Sequence, residues 1–129
     1  MSHPKKVLGI LGGLGPLAGV YFYELITKHT KALCDQDHLD VIVISGASTP
    51  DRTDFITGKS PVSPLPKMKD DVRKLASAGA ELIAVPCNTA HFFFDELDAF
   101  SPVPVLNIVR ETAEHAKAKG AKKVGIMAT

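Results

Sequence analysis

Apolar residues along this chain alternate between two spacings, one typical of buried strands and one typical of amphipathic helices. Residues 7–11 form a short apolar run that ends in two glycines, which predicts a buried strand. Residues 16–33 repeat apolar side chains at helical spacing, with Pro16 suitably placed in the first turn. The same alternation predicts further strands over residues 41–44, 82–85, 105–108 and 124–129, and helices over residues 66–78, 89–100 and 109–119.

This alternating order indicates an α/β fold, with a parallel sheet flanked by helices on both faces. Residues 45–66 are rich in proline and predict a long loop, a type of segment that is usually functional in a compact domain. The last predicted strand has no helix after it to cover it. We therefore expect an α/β domain over residues 1–118, followed over residues 119–129 by the first strand of a second, truncated α/β domain.

Composition narrows the function classes. The chain has 129 residues, and its 15 basic and 14 acidic side chains nearly cancel without forming a block of either sign. This balance argues against a general nucleic-acid or membrane-surface binder. No apolar run approaches the ~18 residues of a membrane span, and the N-terminal apolar stretch is too short for a signal peptide. Two cysteines cannot build a disulfide scaffold, so we expect a cytoplasmic protein.

Ligands of open parallel sheets bind beyond the carboxyl ends of the strands, where four segments of this chain are expected to converge. They are residues 12–16, 45–52, 86–91 and 107–110. The first contains a loose G-x-G-x-x-A pattern, but Pro16 removes an amide donor and no acidic residue follows the second strand to hold a ribose. A tight turn, or a site for a small carboxylate on the amides of the helix N-terminus, explains the glycines better than a dinucleotide does.

Cys87 is the strongest candidate for chemistry. It ends an apolar strand, and Asn88 or Thr89 is well suited to cap the next helix, whose N-terminus would stabilise a thiolate. The alternative is a cysteine that acts only as a small buried hydrophobe. Cys34 lies beside carboxylates near a helix end, and we interpret it as structural.

His91 follows Cys87 by four residues, which is compatible with a Cys-His pair and equally with an imidazole packed inside its helix, since three phenylalanines follow. No cysteine or histidine spacing typical of zinc occurs, so we expect no metal.

Arg52 lies in the predicted loop after the second strand. A guanidinium there can hold a carboxylate in a bidentate fork. The alternative is an exposed ion pair with Asp51 or Asp54.

Five motifs together resemble the aspartate/glutamate racemase family. They are residues 12–18 (GGLGPLA), 35–38 (DQDH), 50–53 (PDRT), 86–91 (PCNTAH) and 124–129 (VGIMAT). The resemblance covers nearly the whole chain and implies the flavodoxin-like half of a two-domain racemase, with the substrate between the domains. It further implies a reaction without pyridoxal phosphate or any other cofactor, on a small amino acid such as aspartate or glutamate.

In such a racemase one cysteine from each domain faces the α-carbon, so the resemblance makes Cys87 one of two bases. It assigns the α-carboxylate to Asn88 and Thr89, the distal carboxylate to Arg52, and the pocket lining to Leu14 and Gly15. The family's second cysteine lies beyond residue 129, so we expect this chain alone to be inactive or weakly active. Family members often form homodimers, and no stripe of this sequence identifies the interface.

Two departures from the family leave the substrate open. Many members have methionine where this chain has Leu14, and asparagine where it has Gly46. The alternatives are a related single-cysteine decarboxylase or isomerase of small dicarboxylates, and a truncated, non-catalytic domain for ligand binding or dimerisation.

Overall fold

The first apolar run forms the central strand of a parallel sheet. The computed structural model describes residues 4–128, and its sheet has the strand order β2-β1-β3. The strands are β1 (Leu8–Gly12), β2 (Val41–Ser45) and β3 (Leu82–Ala84). Ile10 of β1 lies opposite Val43 on one side and Ala84 on the other. β2 is therefore an edge strand of the described sheet.

Helices connect and follow these strands. They are α1 (Pro16–His29), α2 (Arg52–Ile56), α3 (Leu65–Ser77), α4 (Phe94–Phe100) and α5 (Ile108–Ala118). A 3-10 helix, Thr89–Phe93, leads directly into α4, and a shorter one, Asp35–Asp37, precedes β2. The element order and the parallel pairing confirm the predicted α/β fold.

Both faces of the sheet are covered, because successive residues of a strand point to opposite sides. On one face a cluster around Ile10 packs against α1, through Leu8, Ala84, Phe22 and Ile26. On the other face a larger cluster around Leu11 packs against α3 and α4, through Ile83, Met68, Val72, Leu75 and Leu97. Burying each large apolar side chain contributes about 1.5–3 kcal/mol, so the α3 face supplies most of the apolar stabilisation.

The predicted long loop contains a short helix, so the expectation of a structureless segment over residues 45–66 is wrong. The α2 helix begins after Asp51, whose carboxylate accepts a 2.8 Å hydrogen bond from the Asp54 amide. That bond satisfies one of the free amides of the first turn and allows a helix of five residues to form. Arg52 is therefore the first residue of a helix, not a loop residue.

The strand predicted over residues 105–108 is also wrong beyond its first residue. Val105 makes a single parallel bridge to Ile83. Asn107 already caps α5 with its side chain, which accepts from the Val109 amide. The chain therefore turns into a helix after one bridge.

Residues 124–128 form no strand either, contrary to prediction. Their side chains are exposed, Ile126 to 89%, and no strand within residues 4–128 pairs with them. A β-branched segment needs a neighbouring strand before its propensity is expressed, and none is beside it. Thr129 lies outside the described residues, and the division of the chain at residue 118 stays a prediction.

Candidate active site

Two loops at the carboxyl ends of β1 and β2 are fastened together through their backbones. The Gly46 amide donates a 3.0 Å hydrogen bond to the Gly12 carbonyl. Gly13 has a φ of +88°, and a Cβ there would lie 2.4 Å from the Gly46 nitrogen. Only glycine fits at this position. The glycine loop and the loop after β2 therefore lie against each other at the carboxyl ends of β1 and β2.

The two residues predicted to line a pocket in the glycine loop have different surroundings. The Leu14 side chain is 5% exposed and belongs to the core cluster on the α3 face. Gly15 is exposed at the cap position of α1, directly before Pro16. At this end of the sheet a ligand can therefore contact Gly15, while Leu14 is buried in the core.

The loop after β2 is anchored by Thr49, which is 7% exposed. Its hydroxyl donates to the Gly46 carbonyl at 2.6 Å, and its amide donates to the same oxygen at 3.0 Å. These two bonds close a tight turn directly before α2. The turn determines where Arg52 enters the helix.

A buried ion pair that the sequence analysis missed lies beside the same loop. Lys67 of α3 donates to Asp71 at 2.5 Å, and the Asp71 side chain is 2% exposed. A Cβ on Gly46 would lie 2.3 Å from Asp71 Oδ2 and 3.3 Å from Lys67 Nζ. The ion pair therefore occupies the space that a side chain at position 46 would need. The i,i+4 spacing of lysine and aspartate on a predicted helix was the available signal.

Arg52 folds back over its own loop and keeps one donor unused. Its Nη1 donates to the carbonyls of Pro50 at 3.1 Å and Thr49 at 3.4 Å. Its Nε is buried and has no hydrogen-bond partner. Among residues 4–128 no carboxylate pairs with this guanidinium, which excludes the predicted alternative of an ion pair with Asp51 or Asp54 in this arrangement. A buried donor without a partner is costly and unusual in folded proteins.

Cys87 lies in the turn after β3 and is half-buried. Its amide donates to the Val85 carbonyl at 2.8 Å, which bends the chain away from the strand. Asn88 follows with helical backbone angles, and its exposed side chain makes no capping bond, contrary to expectation. A capping residue needs extended backbone angles to reach back to the first amides, which Asn88 lacks. Thr89 begins the 3-10 helix and is half-buried.

The helix that begins with Arg52 packs against the 3-10 helix that follows Cys87. The Phe55 ring of α2 lies 5.8 Å from the Phe93 ring of the 3-10 helix. Arg52 begins the first of these elements, and Cys87 lies two residues before the second. The fold therefore brings these two predicted site residues to neighbouring elements on the same edge of the sheet.

His91 lies on the 3-10 helix with both ring nitrogens engaged. Nδ1 is 2.8 Å from the Cys87 carbonyl oxygen, and Nε2 accepts a 3.2 Å hydrogen bond from the Ile108 amide. Asn107 Oδ1 accepts from the next two amides of α5, those of Val109 and Arg110. In the fourth predicted binding segment, residues 107–110, the amides of residues 108–110 are thus already occupied.

Cys34 lies at the opposite edge, in the connection from α1 to β2. It is exposed, and its amide donates to the Asp37 carboxylate at 3.3 Å. The Leu33 amide also donates to this carboxylate and, with the Cys34 contacts, holds the pKa of Asp37 below its ordinary value. This arrangement closes a turn, so a structural role fits Cys34.

Two broader observations concern the whole described chain. Within residues 4–128 no three histidine, cysteine or acidic side chains come together as a metal site. No helix in this range is long and apolar enough to span a membrane.

Comparison with known proteins identifies the family. The profile described as Asp/Glu/hydantoin racemase matches residues 11–129. The chain belongs to this racemase family. The match includes the glycine loop, Arg52 and the Cys87 segment, which carry the site described above.

Relatives of the chain are about twice its length. The broad specificity amino-acid racemase RacX of Bacillus subtilis (strain 168) is 31% identical over 127 residues, which are 95% of this chain and 54% of RacX. The structure of Picrophilus torridus aspartate racemase is 35% identical, with a TM-score of 0.82 over 89% of this chain and 48% of that chain. An aspartate racemase homologue from Pyrococcus horikoshii OT3 is 26% identical, with a TM-score of 0.74 over 89% of this chain and 50% of that chain. The chain thus spans about half the length of the racemases it matches.

Family membership confirms the resemblance and the α/β fold. The roles of single residues in this racemase-family chain remain predictions. The structure places Cys87, Asn88, Thr89, Arg52 and Gly15 at one edge of the sheet, and directs the Leu14 side chain into the core.

Proposed function

We propose that this chain forms one half of a cofactor-independent amino-acid racemase of the aspartate/glutamate type, with Cys87 as one of two thiol bases. The observation that carries the proposal is a half-buried thiol directly before a 3-10 helix that packs against α2, whose Arg52 has a buried Nε with no hydrogen-bond partner within residues 4–128. Membership in the racemase family supports the reaction class. A homodimeric, cytoplasmic enzyme is the accompanying expectation.

In the proposed reaction the Cys87 thiolate removes the α-proton, and the electrons of the C–H bond remain on the α-carbon. A second thiol, supplied by the rest of the enzyme, then gives its proton to the opposite face. The product has inverted configuration, Cys87 is left protonated and the second cysteine is left as a thiolate. The α-proton is only weakly acidic, so hydrogen bonds aimed at the substrate carboxylate must stabilise the carbanion.

The proposed substrate is aspartate or glutamate. Arg52 would bind the distal carboxylate, because a guanidinium matches a carboxylate in a two-bond fork and its Nε has no partner within the described chain. Asn88 and Thr89 would hold the α-carboxylate next to the thiol. The exposed Asn88 side chain, which does not cap the helix, supports this role. Gly15 and the Leu14 backbone would line the pocket.

Exchange of the α-proton in deuterated water tests the proposal. The 129-residue chain is incubated with L- and D-aspartate and glutamate, and loss of the α-proton signal is followed by NMR. We expect slow exchange that falls by about 10²–10⁴-fold in Cys87→Ala, the factor typical of a lost acid-base group. Cys34→Ala is the matched control and should exchange like the parent chain.

Two outcomes would contradict the racemase proposal. Equal exchange in the parent and Cys87→Ala chains would remove Cys87 from the reaction. Release of carbon dioxide from a dicarboxylate, without exchange of the α-proton into recovered substrate, would instead indicate the single-cysteine decarboxylase.

A further inference from the structure

The two hydrogen bonds of His91 determine where its proton is. A carbonyl oxygen can only accept, so the 2.8 Å contact between Nδ1 and the Cys87 oxygen requires a proton on Nδ1. A backbone amide can only donate, so the 3.2 Å bond from the Ile108 amide requires a bare Nε2. His91 is therefore a neutral imidazole with its proton on Nδ1, and neither nitrogen is left to serve the Cys87 thiol.

These bonds join two parts of the chain that share little other packing. Cys87 precedes the 3-10 helix, whereas Ile108 is the first residue of α5. No residue of α5 is buried, so this helix depends strongly on the contacts at its N-terminus. Three of these are hydrogen bonds from its first three amides, one to His91 Nε2 and two to Asn107 Oδ1.

The His91 ring itself is held in place. It is half-buried and stacks on Phe94, with the ring centroids 5.9 Å apart and the planes within 7° of parallel. An imidazole fixed in this way transmits the position of α5 to the peptide of Cys87. A Cys-His pair for catalysis would instead require a nitrogen that faces the sulfur.

We propose that His91 is a positioning residue, which ties the Cys87 carbonyl to the first amide of α5 and thereby orients the Cys87 thiol. The inference deepens the proposed function, because it names the group that sets the geometry of the proposed base. It excludes His91 as the base that activates Cys87 and as a metal ligand.

NMR on the intact chain tests the tautomer first. The ¹⁵N shifts and the two-bond couplings of the His91 ring distinguish a proton on Nδ1 from one on Nε2. We expect the Nδ1–H form at neutral pH. An Nε2–H form, or a charged ring, would overturn the proposal.

Two substitutions then separate the two bonds. The His91→Asn amide can reproduce the Nδ1–H donor to Cys87 but cannot reach Ile108. His91→Gln can place an acceptor near the Nε2 position for the Ile108 amide but loses the Nδ1 geometry. His91→Phe keeps the ring stacking and removes both bonds.

The readouts are the rate of Cys87 alkylation by iodoacetamide and hydrogen exchange of the Ile108 amide. Cys34 alkylation in the same molecule is the internal reference. We expect His91→Phe to change the Cys87 rate by on the order of fivefold, about the factor that corresponds to one ordinary hydrogen bond, and to accelerate Ile108 exchange. His91→Asn should restore the Cys87 rate only in part, because the bond to α5 is still missing, and His91→Gln should restore Ile108 protection alone.

Unchanged Cys87 rates in all three variants, within twofold relative to Cys34, would overturn the proposal. If His91→Phe unfolds, as circular dichroism would reveal, the asparagine and glutamine variants decide the question. These readouts need no substrate, so their failure is distinguishable from failure of the α-proton exchange that tests the racemase proposal.

Discussion

Cys87 and Cys34 lie at opposite ends of the strands, Cys87 at the carboxyl ends and Cys34 at the amino ends. Cys87 is half-buried in the turn after β3, and the 3-10 helix that follows it packs against α2, which carries the Arg52 guanidinium. Cys34 is exposed in a turn, and its amide donates to the Asp37 carboxylate at 3.3 Å. Both residues are cysteines. What distinguishes the candidate base is therefore its position relative to the sheet and the charge of its neighbours.

The ion pairs near the two edges repeat this contrast. Lys67 and Asp71 pair at i,i+4 spacing near the carboxyl edge, with side chains 29% and 2% exposed. Lys28 and Glu24 pair at the same spacing near the amino edge, with side chains 67% and 48% exposed. Burial makes the first pair a structural support of the candidate site and leaves the second as a weak surface contact.

The largest effect is expected from breaking the buried pair. Lys67→Met leaves the buried Asp71 charge with only the more distant Lys74, at 3.9 Å, and should lower the free energy of unfolding by about 3 kcal/mol, the lower end of the range for a broken buried pair, because Lys67 is partly solvated and Lys74 remains. Lys28→Met, the matched control, should cost less than about 0.5 kcal/mol. Urea unfolding followed by circular dichroism measures both values.

A double variant sharpens the same comparison. Replacing the pair together, as Lys67→Met with Asp71→Leu, should recover much of the lost stability because no unpaired charge remains. Equal, small losses of unfolding free energy in Lys67→Met and Lys28→Met would show that burial does not distinguish the two ion pairs.

A smaller effect is expected from Arg52. Arg52→Met removes the proposed partner of the distal carboxylate and should weaken aspartate binding by about 10–100-fold, the range for hydrogen bonds to charged groups. Protection of Cys87 from alkylation at increasing aspartate concentration measures the affinity, with Arg73→Met as the control for an exposed arginine. Alanine lacks a distal carboxylate, so its binding should not change. If alanine binding weakened as much as aspartate binding, Arg52 would hold the α-carboxylate instead.

The smallest effect is expected in the turn around Cys34. Hydrogen bonds from Leu33 and Cys34 lower the pKa of Asp37, so its charged form stabilises the turn. A carboxyl whose pKa is lowered by folding gives stability that is present above the unfolded pKa and is lost as pH falls below about 4. Hydrogen exchange of the Leu33 amide should therefore lose protection in that range.

Asp37→Asn should lack this pH-dependent step, whereas Asp35→Asn should keep it. A step of the same size in the Asp37→Asn chain would assign it to another carboxylate and remove the proposed role of the turn.

The sequence predicted most of the framework because its signals are local. The apolar runs at β1, β2 and β3 and the helical spacing of α3 identify elements within a residue or two of their observed ends. The α2 helix escaped because prolines dominate its surroundings, although Asp51 with Asp54 three residues later is a recognisable start signal. The tail strand failed because its formation depends on a neighbouring strand.

The candidate site also has features that the sequence predicts and features that depend on the folded structure. Cys87 could be found because a strand end followed by polar residues is visible in the sequence. The unpartnered Nε of Arg52 could not be predicted, since it depends on how the guanidinium lies over the carbonyls of Pro50 and Thr49. The contact between His91 Nε2 and the Ile108 amide joins residues that are 17 positions apart, and no local pattern reports such a link.

The edge position of β2 affects how the protein can be handled. Its Val-Ile-Val-Ile run has one side unpaired in the described sheet, and Val43 is 43% exposed. An open edge of β-branched residues is a template to which a strand of another molecule can add. Self-association at high concentration would begin at this edge, and Val43→Lys would discourage it. Val43 is the middle residue of β2, two residues before the carboxyl end where the chemistry is proposed.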